Sequence, residues 1–242
     1  VAVTGVSGSG KSTLARDVLL ANVQAAVAAG AVAVIHDGMH AVPELGVPTV
    51  EVAGLGDSLG ELASRFYSAP SEQMTIAGVT GTNGKTSTTY ILEAILSAAG
   101  YRVGVVGTVN YRVGESTWPA PVTTPESLDL QRLLREMRTR GVTHVFLEVS
   151  SHALDLRRVD GALFAAAVFT NLSQDHLDYH RTMEAYAEAK ARLKAAHERQ
   201  AAWDEVRKAN LRQACLKRAD AELAAALDQL TGPGSIDDAT NM

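Results

Sequence analysis

Apolar and polar positions alternate along the chain with two different periods. Four short apolar runs predict buried strands: "MTIAGVT", "RVGVVGTV", "THVFLEVS" and "LFAAAVFTNLS". Three segments with apolar residues at helical spacing predict amphipathic helices: "STTYILEAILSAAG", "PESLDLQRLLREMRTRG" and "TMEAYAEAKARLKAA". Strands that alternate with helices of this length predict an α/β fold, in which helices cover both faces of a central parallel sheet.

The same patterns divide the chain into four parts: a strand, glycine loop and helix at 1–29, a partial α/β segment at 30–73, the alternating strands and helices at 74–195, and a helical extension with a disordered tail at 196–242. In the second part, Ser58 is followed by Glu61 three residues later. This spacing predicts a capping box that begins a helix at Ser58.

Composition narrows the class of protein. With 242 residues, 46% of them hydrophobic and 20% charged, the chain is long enough for one large or two modest globular domains. A net charge of −5 supplies no broad basic face, so we expect no nucleic-acid partner. The single cysteine, Cys215, excludes an internal disulfide and fits a reducing compartment.

No segment is typical of a membrane or export signal. The longest apolar run, "AAVAAGAVAVI" at residues 25–35, is too short to cross a bilayer, and no charged region precedes it as in a secretory signal. We therefore expect a cytoplasmic location and no membrane partner, while the oligomeric state stays open. The chain begins at Val1 and not at methionine, which suggests a fragment.

Two glycine loops carry a lysine. The first, "GVSGSGKST", has Gly5, Gly10, Lys11 and Ser12 at the common spacing of a phosphate-binding loop. The second, "GVTGTNGKTSTT" at residues 78–89, departs from that spacing because Val79 stands where a glycine is usual. In both loops, glycines let backbone N–H groups turn inward, the helix N-terminus adds positive potential, and the lysine neutralises phosphate charge. By its match to the common spacing alone, the first loop is the better candidate for a nucleotide site.

Only the second loop is followed by partners for its chemistry. Glu148 ends one apolar strand, His176 follows the next, and Lys190 lies on the helix after that. Because parallel strands end at one edge of a sheet, Glu148 and His176 are expected near the loop's phosphates. The ordinary alternatives are a solvated strand end for Glu148, a turn residue for His176 and a solvated helix residue for Lys190. Three such groups after one loop favour the functional interpretation.

Five motifs in order resemble the central domain of the Mur ligases: "GTNGKTST", "TTPES", "EVSSHAL", "FTNLSQDHLDYH" and "YAEAKARL", from about residue 28 to about residue 194. The resemblance implies that the ATP phosphates lie on Gly81, Thr82, Asn83, Gly84, Lys85, Thr86 and Ser87. It also implies Mg²⁺ ligands at Thr86, Glu148, His176 and, as a carbamate, Lys190. Lys85, Glu148, His176 and Lys190 are then the expected catalytic residues. CO₂ would turn the Lys190 amine into a carboxylate-like anion that can bind a metal.

The resemblance further implies a substrate and a reaction. Thr123, Thr124, Ser150 and Arg158 match positions that bind a UDP-N-acetylmuramoyl-dipeptide. The family member most like this chain uses ATP to activate the dipeptide carboxylate as an acyl phosphate, which the amine of the third amino acid of the peptidoglycan stem then attacks. Two departures, Val122 and Leu156, weaken the match of this pocket. Asp175 is expected to support His176, and His152 and His180 to be structural. Whether diaminopimelate or lysine is added stays open.

Parts of the family are not represented. Residues 30–73 resemble only the last part of the family's N-terminal domain, and residues 74–195 its ATP-binding central domain. The beginning of the N-terminal domain has no counterpart, and neither has the C-terminal domain, which supplies the amino-acid site and closes over ATP. We therefore expect the chain to be weakly active or inactive by itself.

Two alternatives stay open. Residues 1–27 resemble the phosphate loop of excinuclease A, an ABC-type DNA-repair ATPase, although the "SGGQ" signature of that class does not occur. The chain could also be a fused or misassembled nucleotide-binding product without catalysis. Whether Lys11 binds nucleotide is undecided. A folylpolyglutamate synthetase fits "EVSSHAL" and "DHLDYH" less well.

Overall fold

The structure, a computed structural model, describes residues 21–38 and 44–198. Its backbone contacts divide the chain into two compact units, residues 1–196 and 197–242. The first glycine loop with Lys11, Cys215, and the predicted extension and tail beyond residue 198 lie outside the described residues. No helix in the described ranges is long and apolar enough to cross a membrane.

Helices and strands alternate through most of the described residues. In chain order they are α1 (21–28 within the described residues), β1 (Val34–His36), β2 (Thr49–Glu51), α2 (Leu55–Phe66), a 3₁₀ turn (Pro70–Gln73), β3 (Thr75–Thr80), α3 (Lys85–Ala98), β4 (Val103–Val106), β5 (Asn110–Val113), β6 (Ser116–Pro119), α4 (Ser127–Thr139), β7 (His144–Glu148), α5 (Ser151–Asp155), β8 (Ala166–Phe169), α6 (Leu177–His180) and α7 (183–198 within the described residues).

The central sheet is mostly parallel. Its strand order is β6-β5-β4-β7-β3-β8, and β4, β7, β3 and β8 run parallel, which confirms the predicted α/β class. The sequence did not predict the antiparallel hairpin of β5 and β6 at one edge. A two-residue turn joins these strands, and Gly114 in it has φ +54°, a conformation that favours glycine. β1 and β2 form a separate parallel pair.

Helices pack on both faces of the sheet. On one face, Val145 and Leu147 of β7 belong to a buried core that includes Leu134 of α4 and Leu193 of α7. On the other face, a smaller buried group that includes Phe146 packs against α3. Because side chains alternate along a strand, Glu148 follows Phe146 onto the α3 side. The pleat of β7 therefore directs this carboxylate toward the start of α3.

The helix α2 begins earlier than predicted. Its N-cap is Gly54, with φ +68° and without a side-chain cap, so the expected capping box of Ser58 and Glu61 is wrong. Glu61 instead pairs with Arg65 one turn later, at 2.8 Å between Oε1 and the guanidinium. The left-handed turn at Gly54 starts the helix a full turn before Ser58, which leaves Ser58 inside it.

Candidate functional site

The second glycine loop joins β3 to α3, and its backbone requires glycine at two positions. Gly81 has φ +145° and a Cβ there would collide with the hydroxyl of Thr170. Gly84 has φ +84° and is the N-cap of α3, without a side chain that caps the helix. The first-turn N–H groups of α3 therefore have no side-chain cap, and this end of the helix is suited to bind an anion.

Residues that follow β8 hold the loop in place. The Thr170 hydroxyl donates to the Asn83 carbonyl at 2.6 Å, and Asn171 exchanges two hydrogen bonds with the backbone of Asn83, at 3.0 and 3.1 Å. The Thr82 hydroxyl lies 3.1 Å from the Tyr186 hydroxyl of α7. The loop is thus fixed from two other elements, and none of these supporting residues was identified from the sequence.

Lys85 lies across the loop. Its Nζ donates to the carbonyl oxygens of Gly81 at 2.8 Å and Thr82 at 3.0 Å. Burial lowers the pKa of Lys85, and the negative charges of Glu148 and Asp175 partly oppose this shift. The ammonium therefore lies over the loop at the N-terminal end of α3.

Glu148 is buried beside the same helix terminus. The residue is 1% exposed. Its Oε2 accepts hydrogen bonds from the hydroxyls of Thr86, at 2.9 Å, and Thr108, at 3.0 Å. The Thr108 backbone N–H donates to Oε1 at 3.3 Å. Thr108 was missed in the sequence, although it stands just after β4 at the edge where β7 also ends.

Lys190 of α7 is buried in the same region, with 2% of its surface exposed. Its Nζ lies 4.5 Å from the centre of the Tyr186 ring. Burial, and secondarily the positive charge of Lys85, lower the pKa of Lys190 to about 8, against an opposing influence of Asp175. An amine in this state releases its proton far more readily than a solvated lysine.

The predicted His176 belongs to a cluster of aromatic and imidazole rings. The His176 ring meets the His152 ring edge to face, with 4.8 Å between centres. Asp175 accepts the His176 backbone N–H at 2.9 Å, the supporting contact expected for that residue. His180 Nε2 lies 2.9 Å from the Ser151 hydroxyl, and burial lowers the pKa of both His152 and His180. Among the described residues, no three His, Cys, Asp or Glu side chains are grouped closely enough to hold a metal ion.

The four predicted substrate residues are Thr123 and Thr124, in a turn beside Glu148, and Ser150 and Arg158, which contact Thr124. The Thr124 hydroxyl donates to the Glu148 carbonyl at 2.9 Å and accepts the Ser150 N–H at 3.1 Å. The Thr123 hydroxyl lies 3.0 Å from that of Thr108. Arg158 pairs with Glu126 at 2.7 Å, and its buried Nε has no hydrogen-bond partner. The two departures, Val122 and Leu156, are 43% and 51% exposed.

A family model described as the Mur ligase middle domain matches residues 79–223. The chain belongs to the Mur ligase family. The match begins inside β3, after the first glycine loop, and continues past residue 194, where the sequence motifs end. This Mur ligase region includes residues 79–89 of the second loop, as well as Glu148, His176 and Lys190.

Curated proteins of the same family are similar to this chain in sequence. A protein of Geobacter metallireducens named UDP-N-acetylmuramoyl-L-alanyl-D-glutamate--2,6-diaminopimelate ligase is 52% identical over 164 residues, which are 68% of this chain and 32% of that protein. A protein of the same name from Caldanaerobacter subterraneus is 49% identical over 172 residues, 71% of this chain and 35% of the relative. The chain thus spans about a third of the length of these Mur ligases.

Two solved structures are similar to this chain in fold. A structure titled as the same 2,6-diaminopimelate ligase superimposes with a TM-score of 0.61 at 38% identity, over 72% of this chain and 35% of that one. The MurF ligase from Thermotoga maritima, titled in complex with ADP, reaches a TM-score of 0.51 at 24% identity, over 76% and 38% of the two chains. At that identity the second likeness bears on the fold alone.

Proposed function

We propose that the loop from Gly81 to Ser87 binds the phosphates of ATP. The Lys85 ammonium and the first-turn N–H groups of α3 supply positive potential there, and Thr170 and Asn171 hold the loop backbone. The observation that carries this proposal is the hydrogen bond from Thr86, directly after Lys85, to the buried carboxylate of Glu148. A hydroxyl after the loop lysine and an acid at the end of a neighbouring strand are the two groups that hold Mg²⁺ in phosphate-loop enzymes.

The donor set at this position suits Mg²⁺. Thr86 and Glu148 present hard oxygen donors 2.9 Å apart, which Mg²⁺ prefers to nitrogen or sulfur. A bound Mg²⁺ would neutralise charge on the ATP phosphates. We propose Thr86 and Glu148 as its ligands, with His176 as a further ligand, and the carbamate oxygens of Lys190 as ligands of a second ion.

Lys190 is the proposed site of carbamylation. CO₂ adds only to a neutral amine, and burial together with Lys85 lowers the pKa of Lys190 to about 8. Lys190 would first lose one proton to give the neutral amine. The addition would then form a bond between Nζ and the carbon of CO₂ and release a second proton, so that a buried cation beside Lys85 becomes an anion. The opposite charge of Lys85 would then favour the carbamate instead of opposing the ammonium.

We propose that the chain carries the central part of a ligase that joins 2,6-diaminopimelate to UDP-N-acetylmuramoyl-L-alanyl-D-glutamate, the reaction for which its relatives are named. Thr123, Thr124, Ser150 and Arg158 would hold the dipeptide substrate beside the phosphate loop. Its terminal carboxylate would attack the γ-phosphate of ATP, giving an acyl phosphate and ADP. The amine of diaminopimelate would then displace phosphate. The chain's own contribution is positioning and charge neutralisation by Lys85.

ATP affinity in the presence of Mg²⁺ tests the assignment of the loop. We expect Lys85→Ala to lower the affinity by at least about tenfold, because the ammonium that faces the phosphates is lost. Lys11→Ala, which removes the lysine of the other glycine loop, serves as the matched control and should leave the affinity unchanged. If Lys11→Ala alone abolished binding, the nucleotide would belong to the first loop and the proposal would fail.

A further inference from the structure

Glu148 is held by a residue that belongs to neither the phosphate loop nor the predicted substrate set. Thr108 follows β4, and it contacts both oxygens of the carboxylate: its N–H donates to Oε1 at 3.3 Å and its hydroxyl to Oε2 at 3.0 Å. The preceding Gly107 lets the backbone come this close, since a Cβ at that position would collide with Oε1. Two contacts from one residue fix the carboxylate in rotation as well as in position.

The supply of protons sets the direction of these hydrogen bonds. An ionised carboxylate only accepts, so Thr86 and Thr108 each use their single hydroxyl proton on Glu148. The Thr108 oxygen then has lone pairs but no proton for Thr123, which lies 3.0 Å away. Thr123 must therefore donate to Thr108. The resulting chain runs from Thr123 through Thr108 to Glu148.

The roles of the two threonines that bind Glu148 differ. Thr86 is itself a proposed metal ligand, so a lone pair of its hydroxyl would bind the ion while its proton stays on Glu148. Thr108 approaches the carboxylate from the end of β4 and is linked to the turn that carries Thr123. Groups that orient a ligating carboxylate in this way raise metal affinity without touching the metal.

We propose that Thr108 is a positioning residue, which aims Glu148 at the phosphate loop and couples it to the Thr123 turn. This inference rests on the proposed function in one respect: its expected consequence is a loss of the Mg²⁺-dependent part of ATP binding. The hydrogen bond itself does not rest on that function and can be measured without nucleotide.

The first arm measures unfolding by denaturant in four proteins: wild type, Thr108→Val, Glu148→Met and the double variant. Thr108→Val removes the hydroxyl at nearly constant volume and should lower the unfolding midpoint in the wild-type background. It should have little effect in the Glu148→Met background, because no buried acceptor is then left without its donor. Thr143→Val, which removes a hydroxyl at the other end of β7, should shift the midpoint equally in both backgrounds. Equal shifts for Thr108→Val would overturn the proposal.

The second arm compares ATP affinity in Mg²⁺ with affinity in a chelator. We expect Thr108→Val to lose about tenfold or more of the ATP affinity that wild type gains with Mg²⁺, and to bind ATP as wild type does in the chelator. Thr108→Ser, which keeps the hydroxyl, should restore the Mg²⁺-dependent gain. A full Mg²⁺ gain in Thr108→Val would overturn the positioning role. If wild type gains nothing from Mg²⁺ while the first arm shows coupling, the proposed function fails but the link from Thr108 to Glu148 stands.

Discussion

Carbon dioxide should add to Lys190 at neutral pH far faster than to an ordinary lysine. The reacting species is the neutral amine, and the buried site beside Lys85 lowers the pKa of Lys190 to about 8. At pH 7 about 9% of such an amine is neutral, against about 0.03% for a lysine with an ordinary pKa of about 10.4 to 10.5. The neutral fraction of Lys190 at this pH is therefore roughly 300 times that of an ordinary lysine, and the initial addition should be faster by that factor for neutral amines of equal reactivity.

The pH dependence distinguishes this explanation from an ordinary lysine. With dissolved CO₂ held constant, the neutral fraction of Lys190 should rise about fivefold between pH 7 and 8 and less than about twofold between pH 8 and 9. A solvated lysine would gain about tenfold at each step over the same range. The initial rate of ¹³CO₂ incorporation, followed by the carbamate carbon signal in NMR spectra, measures this profile directly.

The chain's α-amino group also forms a carbamate, since its pKa is about 7.7 to 8.0. The matched control is therefore Lys190→Arg, whose signal is subtracted from that of wild type at each pH. A difference signal that keeps rising about tenfold per pH unit to pH 9 would refute the reasoning, because it would place Lys190 among ordinary solvated amines. A difference signal of zero at every pH would refute the carbamylation itself.

Three further predictions concern stability. Leu134→Ala, at a fully buried position of α4, should lower the free energy of unfolding by about 2–5 kcal/mol in denaturant titrations. Its control, Arg132→Ala at an exposed position of the same helix, should change that free energy by no more than about 0.5 kcal/mol. Similar values for both variants would contradict the proposed core. Gly78→Ala should cost about 1–3 kcal/mol, because its Cβ would lie 2.8 Å from Leu193 and 2.9 Å from Phe164, and a neutral outcome would show that α7 does not pack there. Arg112→Met should lower the free energy of unfolding by about 3 kcal/mol, because it leaves the carboxylate of Glu93 unpaired. The double variant Arg112→Met with Glu93→Leu should recover most of this loss, and no recovery would contradict a desolvated ion pair between Arg112 and Glu93.

The alternation of apolar runs and amphipathic helices was sufficient to predict the α/β class. Buried parallel strands carry continuous apolar runs, such as Val145 to Leu147 of β7, and such runs stand out from amphipathic helices. The edge hairpin escaped prediction because β5 and β6 carry Arg112, Thr117 and Pro119 and lack both a long apolar run and clean alternation. The start of α2 was predicted one turn late because a glycine in the left-handed conformation replaced the side-chain cap.

The candidate site was predictable where a residue ends a strand or follows a glycine loop. Glu148 and Lys85 fall under that rule because the topology of a parallel sheet brings strand ends together. Thr108 falls under it too, yet a threonine is too common in strands to stand out. Tyr186 could not be found in this way, since its contact with Thr82 joins residues 104 positions apart and depends on the packing angle of α7.

The hydrogen-bond chain that ends on Glu148 also limits what Thr123 can recognise. Because Thr123 gives its only hydroxyl proton to Thr108, it presents only lone pairs to a ligand. It can accept from an amide N–H or a sugar hydroxyl, and it repels a carboxylate or a phosphate oxygen. At the proposed substrate site, an amide N–H or a sugar hydroxyl of the ligand would therefore face the Thr123 hydroxyl, and its carboxylate and phosphate oxygens would face away from it.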